Sequence, residues 1–407
     1  MAHRSAPRRP AEHLSGLVPL RTIDVAERRA RLARRHRLAP GSRATDVVDT
    51  ATNMVCLHAT DPTTVYLSAW ARVDGMTVGD MDRALYEDRM LVKHLAMRRT
   101  LFVFPRGSMS VVQAGASDRV ADAERRRLVR DVERAGLHRD GERWLSDAST
   151  HVLATLADGR QASSSELRRE IPLLEGSIMY GEGKSWGGQV PVGPRVLTTL
   201  SAAGHIVRAT NDGSWTVSRP RWASMEAWLG APIEPLPEAQ GVSSLVELWL
   251  RAFGPGTVAD IKWWLGSTLT AVRRALSDLA AVEVDLDGQP GYVLPGDLAA
   301  TDPVAPWAAL LPSLDPTTMG WLERDWYLGH HRSQLFDTNG NAGPTVWWDG
   351  RIVGGWRQDD TGEIVVQMLE DVGSDGQRAI EGEAARLSDW LAGVRASPRF
   401  PSPLSKR

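Results

Sequence analysis

A single cysteine in 407 residues leaves no partner for an internal disulfide and no ligand set for a cysteine-based zinc site. That residue, Cys56, sits in the apolar run Met54-Val55-Cys56-Leu57, where a buried structural thiol is expected. Lysine is nearly as scarce. Lys93, Lys184, Lys262 and Lys406 are the only ones among 48 basic side chains, and the rest are arginine. An arginine surplus suits bidentate phosphate contacts, although a GC-rich genome explains both it and the abundance of alanine more simply. Charge of one sign is missing too: with a net charge of −2 there is no global basic field, so any nucleic-acid surface has to be a local patch. No stretch of about 18 apolar residues is there to span a membrane. The basic start, Met1 to Pro10, runs into no apolar segment of a secretory signal. A cytoplasmic protein is expected.

What is present is an ordinary balance, 42% hydrophobic and 24% charged, over a length that calls for several compact units. Residues 1–20 are Pro- and Arg-rich and should form a loose tail. A helix is predicted over 23–38, with Asp24 and Glu27 early, arginines late and Pro40-Gly41 at its end. Its arginines, Arg28 to Arg37, make either a phosphate-lining row or a solvated face. Residues 45–57 carry Val47, Val48, Ala51 and Val55 at helical spacing and would deliver His58 to a helix end. A further helix is predicted over 78–95, and Thr100-Leu101-Phe102-Val103-Phe104 is a β run closed by Pro105. Helices followed by a strand fit a winged-helix unit, and a long charged helix should follow over 111–134.

Two more such units are predicted. Ser163 and Glu166 have capping-box spacing, and a recognition helix is expected over 194–203. Gly204 then leads into His205-Ile206-Val207-Arg208, a turn at Asn211-Asp212-Gly213 and a return strand Trp215-Thr216-Val217, the pattern of a wing. Beyond a Pro-rich linker at 231–237, Thr257 caps a helix over 258–265, Gly266-Ser267-Thr268 turns, a second helix covers 269–280, and a hairpin closes around Asp287-Gly288. From Pro306 the pattern becomes β. It shows a short strand at 308–312, hairpins around Asp349-Gly350 and Asp360-Thr361-Gly362, and a terminal helix over 380–394. Closing these strands into a barrel would remove their exposed edges. The predicted fold class is α+β: three tandem winged-helix units followed by a C-terminal β-barrel. The expected units are 21–140, which includes the long helix, then 141–237, 238–298 and 299–402.

Several familiar sites are excluded. Gly183-Lys184-Ser185 looks like the end of a P-loop, but Ile178 stands where the first glycine belongs. His330-His331 are adjacent, which rarely suits one metal, and no HExxH spacing accompanies them. No Gly-x-Ser-x-Gly elbow or Cys/His pair is visible. Neither a metal nor a cofactor is expected.

Four stretches occur in an order and spacing that resembles the AlkZ/YcaQ family of winged-helix DNA glycosylases, over about residues 21–391. They are Leu57-His58-Ala59-Thr60-Asp61-Pro62, Met97-Arg98-Arg99-Thr100-Leu101, Leu310-Leu311-Pro312-Ser313-Leu314-Asp315-Pro316 and the hairpin from Trp347 to Trp356. The resemblance implies a concave surface for double-stranded DNA and hydrolysis of the N-glycosidic bond of N7-alkylated or cross-linked purines. The resemblance also implies two polar side chains, two residues apart, that hold the attacking water, in the family a pair of glutamines or a glutamine and an acid. This chain has His58 and Thr60 in their places and Asp61 next door. His58, Thr60 and Asp61 are therefore the candidate catalytic residues. His58 would serve as hydrogen-bond partner or base, Thr60 reaches less far than glutamine, and Asp61 offers a carboxylate or caps the turn before Pro62. DNA contacts are expected from Arg98, Arg99, Arg195 and Arg208 on recognition elements or wings, and from Arg324, His330, His331 and Arg332 on the barrel side. The protein would act at the nucleoid as a monomer. Two other readings stay open: a catalytically inactive winged-helix DNA-binding or regulatory protein on the same scaffold, and a protein that sequesters a DNA-reactive natural product.

Overall fold

The first helix, α1 (Val25–Arg35), starts where the Asp24 carboxylate accepts the Glu27 N–H at 2.8 Å. The computed structural model describes residues 21–181, 183 and 187–406, so the expected tail at 1–20, together with Lys184 and Ser185, lies outside it. The arginines of α1 turn mostly inward, forming neither a phosphate row nor a solvated face. Arg31 is 1% exposed and pairs with Glu27 and Asp297 at 2.9 and 3.0 Å. Arg35 reaches Asp297 and the Gly254 carbonyl, Arg29 donates to the Trp326 carbonyl, and Arg28 lies 4.2 Å over the Trp326 ring. The five donors of a guanidinium can satisfy several carbonyls at once, and here they fasten the first helix to the later part of the chain.

One order of elements then recurs three times: helix, strand, helix, helix, hairpin. First come α2 (Val47–Asn53), β1 (Leu57–His58), α3 (Pro62–Trp70), α4 (Val78–Asp82), β2 (Leu91–Ala96) and β3 (Thr100–Pro105), with sheet order β1-β3-β2. The short α5 (Met109–Val112) and the long α6 (Asp118–Arg134) lead on. The second set is α7 (Gly141–Leu156), β4 (Ala162–Ser163), α8 (Ser164–Glu170), an inserted hairpin of β5 (Ser177–Tyr180) and β6 (Gly188–Pro191), α9 (Gly193–Ala202), β7 (Ile206–Asn211) and β8 (Pro220–Ser224). Its sheet order is β4-β8-β7. After α10 (Met225–Leu229), the third set has α11 (Glu238–Phe253), a lone Gly256–Tyr292 bridge in place of the first strand, α12 (Val258–Leu265), α13 (Leu269–Asp278), β9 (Val282–Leu286) and β10 (Gln289–Val293). Local chemistry sets these boundaries. Capping boxes start α8 and α12, Gly266 at φ +60° ends α12, and Asp287 and Gly288 take the positive φ that a two-residue hairpin turn demands.

Three local expectations need correction. The helix predicted over 45–57 stops at Asn53, because Val55 takes φ +63° and the chain then extends. His58 therefore sits in a strand opposite Phe102. The segment predicted as helix over 78–95 is helical only as far as Glu87; after Arg89 at φ +54°, Leu91–Ala96 pairs residue for residue with β3. The return strand of the second hairpin is β8, not Trp215-Thr216-Val217. The Asn211 carboxamide closes the intervening loop, donating to the Gly213, Ser214 and Val217 carbonyls and accepting the Arg219 N–H.

The last part of the chain holds β11 (Ala308–Leu311), two single-turn helices α14 (Asp325–Leu328) and α15 (Arg332–Leu335), β12 (Thr345–Trp348), β13 (Arg351–Gln358), β14 (Ile364–Met368) and α16 (Gly373–Leu391). Among the described residues its sheet is open, in the order β11-β12-β13-β14, and the predicted barrel does not close. Closure is not needed to bury the sheet: α16 packs across β11, β12 and β14 and buries Ile380, Leu387 and Leu391. One hydrophobic core runs through the first and third sets and this sheet, while the second set has its own around Leu128, Trp144 and Leu197. Where α11 crosses the turn at Gln113–Ser117, Gly241 and Gly115 pass so closely that a Cβ on either would stand 2.5–2.6 Å from the other's backbone.

At the centre of the first core, Arg72, just past the end of α3, makes an ion pair with Asp315 at 2.7 Å, both side chains fully buried. Arg72 also donates to the His36 and Ser68 carbonyls and the Thr317 hydroxyl. The His36 ring is held between Thr317 Oγ1 and the Ala252 carbonyl. Burial first, then the Arg72 charge, pushes His36 down to about 3. Burial likewise lowers His58 to about 3 and His94 to about 4. All three are neutral in the folded protein, whereas the unfolded chain takes up protons below about 6.5. Stability should be full above that pH and fall as pH drops through the window from about 6.5 towards 4, each histidine contributing a slope of up to about 1.4 kcal/mol per pH unit. Calorimetric melting at pH 7, 6 and 5 should show a steady fall, made shallower by His36→Asn; a flat profile would contradict the assignment.

Candidate active site

His58, Thr60 and Asp61 lie where β1 runs into α3, and the structure treats the three differently. His58 is 8% exposed, its ring edge-on to Phe102 at 5.1 Å, and Nδ1 has no hydrogen-bond partner. Strand pairing places His58, Phe102 and His94 in one row across the sheet. Burial and then the nearby Arg98 charge depress His58, so its imidazole is neutral at pH 7. A conjugate acid of about 3 makes a poor proton acceptor, which leaves hydrogen bonding as its useful chemistry. Thr60 is half-buried, and its carbonyl accepts from Arg399 Nη1 at 3.3 Å. Asp61 is 1% exposed and committed elsewhere: Oδ1 caps α3 by accepting the Thr63 N–H and hydroxyl, and Oδ2 accepts from Ser313 and the Arg399 N–H. Its carboxylate positions the turn, and no lone pair is conspicuously free for a water.

The arginines at the Met97–Arg99 turn divide the candidate DNA contacts into two clusters. Arg98 and Arg99 both adopt left-handed backbone, φ +55° and +59°. Arg98 lies 4.1 Å over the Trp263 ring of α12, and Arg324 approaches the same ring at 5.0 Å. Arg324 and Arg332 in turn approach Phe336 at 4.8 and 5.5 Å. Three predicted contacts, from two distant parts of the sequence, thus converge on two aromatic rings, and one of them, Arg98, acts on His58. No carboxylate is bonded to any of these guanidiniums among the described residues, and the buried Arg324 Nη1 has no partner. Arg98 is solvent-exposed, and burial, then Arg324, pushes it down to about 10.

Arg99 goes the other way, to Glu124 on α6 at 2.6 Å, and Glu124 also pairs with Arg195 at 3.2 Å. Arg195 is only 7% exposed and lies 4.5 Å over Tyr180, beside Arg127 over the same ring. One carboxylate shared by two guanidiniums leaves this cluster positive. Arg208 stands apart from both clusters, 4.9 Å over Trp222. On the sheet side, His331 bonds Glu370 at 2.8 Å, shared with Arg351, and is thereby tied to the protein, whereas His330 and Arg332 are exposed.

Sequence reasoning missed Trp263, Glu124, Lys93 and Arg399. Only period-two alternation along β2 could have marked Lys93; the others meet the site through tertiary packing. Among the described residues no group of three His, Cys, Asp or Glu is placed to hold a metal ion. Cys56 is buried, and burial raises its thiol well above the usual range, which fits a structural role.

The threefold element order and the arginines gathered on Trp263 and Phe336 are the features that a comparison with known proteins has to match. The chain belongs to the AlkZ-like DNA glycosylase family, which matches residues 51–390. The chain is 31% identical over 255 residues to an interstrand DNA cross-link repair glycosylase of Streptomyces sahachiroi, and the match covers 60% of this chain and 65% of that protein, just short of two thirds of its length. The fold resembles the solved structure of Streptomyces sahachiroi DNA glycosylase AlkZ with a TM-score of 0.71 and 21% identity, covering 93% of this chain and 99% of that one.

Proposed function

We propose that the protein binds duplex DNA across its three repeated units and hydrolyses the N-glycosidic bond of an N7-alkylated or cross-linked purine. On this reading residues 21–140, 141–237 and 238–298 are winged-helix units and 299–402 the closing domain, acting as one copy at the nucleoid. The element order and the first–third–second strand order of the sheets support the winged-helix assignment. No helix among the described residues is long and apolar enough to cross a membrane.

The observation that carries the proposal is the position of His58 and Thr60 at a strand end, inside the matched family region, with Arg98 near His58 and stacked with Arg324 on the Trp263 ring. An N7-alkylated purine is already cationic and leaves readily, so the site needs a held water and stabilisation of an oxocarbenium-like sugar more than a strong base. A neutral imidazole is suited to holding water. Incubation with a duplex carrying N7-methylguanine, followed by mild base, should give strand cleavage at the lesion; intact strands would sink the enzyme reading. A second reading, a DNA-binding protein without excision, is favoured by the near-burial of His58 and the short reach of Thr60. It predicts tight duplex binding with intact strands in the same assay.

A further inference from the structure

A small recess beside the candidate active site is lined by Ala59, Pro62, Tyr86, Lys93, Arg208 and Trp215, among others. Lys93 donates to the Tyr86 hydroxyl at 2.6 Å, and Arg208 rests over Trp222. Neither cation has an ion-pair partner within 4.0 Å among the described residues. Residues 395–406, which follow α16, bring a third cation. The Arg399 backbone is pinned by its N–H to Asp61 Oδ2 at 2.8 Å, and among the described residues its exposed guanidinium reaches the Thr60 carbonyl and lies 6.0 Å over the Phe400 ring. Burial and Arg399 push Arg208 down to about 10, and burial and Arg208 push Lys93 down to about 8. Asp82 acts on Lys93 but is bonded to the Tyr66 hydroxyl, and Asp61 is taken up by its own bonds, so like charges gathered here disfavour one another until an anion joins them. The recess, about 20 Å³, is too tight for a base, so an anion would sit above it.

We infer that Arg399 and Arg208 together seat one backbone phosphodiester of the strand that carries the target nucleotide, with Lys93 adding charge from the recess. Residues 395–406 are then a DNA-contacting arm, and Arg399 is a positioning residue that fixes the strand's register against His58 and Thr60. A contact of this kind carries no sequence information and sets register and orientation. The inference rests on the DNA reading above. The competing role for the arm is a strap that covers the site; a strap needs no accumulation of unpaired cations, and the charge favours the seat.

Equilibrium binding of a short lesion-containing duplex, across a range of salt concentrations, tests it. Arg399→Ala keeps the backbone bond to Asp61, so its melting temperature should match the native protein. Its affinity should fall several-fold and its salt slope by about one unit, with Arg399→Lys recovering most of the loss. Duplexes carrying a single uncharged methylphosphonate, moved one phosphate at a time around the lesion, should reveal one position that weakens the native protein but not Arg399→Ala. Additive losses at every position, or unchanged affinity in Arg399→Ala, overturn the seat. Tighter binding by Arg399→Ala overturns it in favour of a strap. Failure of the native protein to bind any duplex removes the DNA reading itself, a result separable from loss of the seat alone.

Discussion

His58→Ala is expected to lower the excision rate by roughly 10²-fold or more, the usual cost of a lost acid–base or water-positioning group. Duplex affinity should barely change, because phosphate contacts dominate binding. The variant leaves Phe102 without its edge-on partner at 5.1 Å, so a modest loss of stability is expected alongside. Loss of excision without loss of binding distinguishes a chemical role from a packing role. Restoring the family-like pair, His58→Gln with Thr60→Gln, should retain or raise the rate, since glutamine holds water by hydrogen bonding as a neutral imidazole does and reaches further than threonine. Full activity in His58→Ala would move the chemistry away from this strand end.

The second large effect concerns stability. Asp315→Ala removes the only ion-pair partner of Arg72 among the described residues, in a fully buried site, and breaking such a pair typically costs about 3–5 kcal/mol because one charge is left uncompensated. Ser68 loses its bond to the same carboxylate, as does the Thr317 N–H. These contacts join α3 to the loop at 312–318, and His36 extends them to α1 and α11. The loss should therefore appear as one cooperative shift in denaturant midpoint. Replacing Arg72 and Asp315 together by leucine should cost much less than Asp315→Ala alone, since no charge is then stranded. A shift in Asp315→Ala of under about 1 kcal/mol would contradict a load shared through this pair.

Much of the fold was legible where chemistry is local. The Thr257 and Ser163 caps, the Gly266 stop, the Asp287-Gly288 and Asp349-Gly350 turns and the α9 helix are all written in neighbouring residues. What failed depended on distant partners. Leu91–Ala96 carries enough apolar residues to pass for helix, and only its pairing with β3 makes it a strand. The C-terminal strands looked as if they needed closure because α16, which covers them, lies beyond them in sequence. The site divides in the same way. The family resemblance marked His58, Thr60 and Asp61; sequence left open whether Asp61 was catalytic or a cap, and the structure has it capping α3 and bonded to Thr63, Ser313 and Arg399. Arg98, Arg324 and Arg332 were each named from sequence, while Trp263, the ring that gathers the first two, could not be foreseen.

The central claim is that this chain releases an alkylated purine from duplex DNA. The most direct measurement is the amount of free N7-methylguanine liberated, under single-turnover conditions, from a duplex with one such lesion. Release well above the spontaneous rate is predicted, lost in His58→Ala and absent with the undamaged duplex. Release no faster than spontaneous, by a folded protein that still binds the duplex, would contradict the account and leave a DNA-binding protein on a glycosylase scaffold.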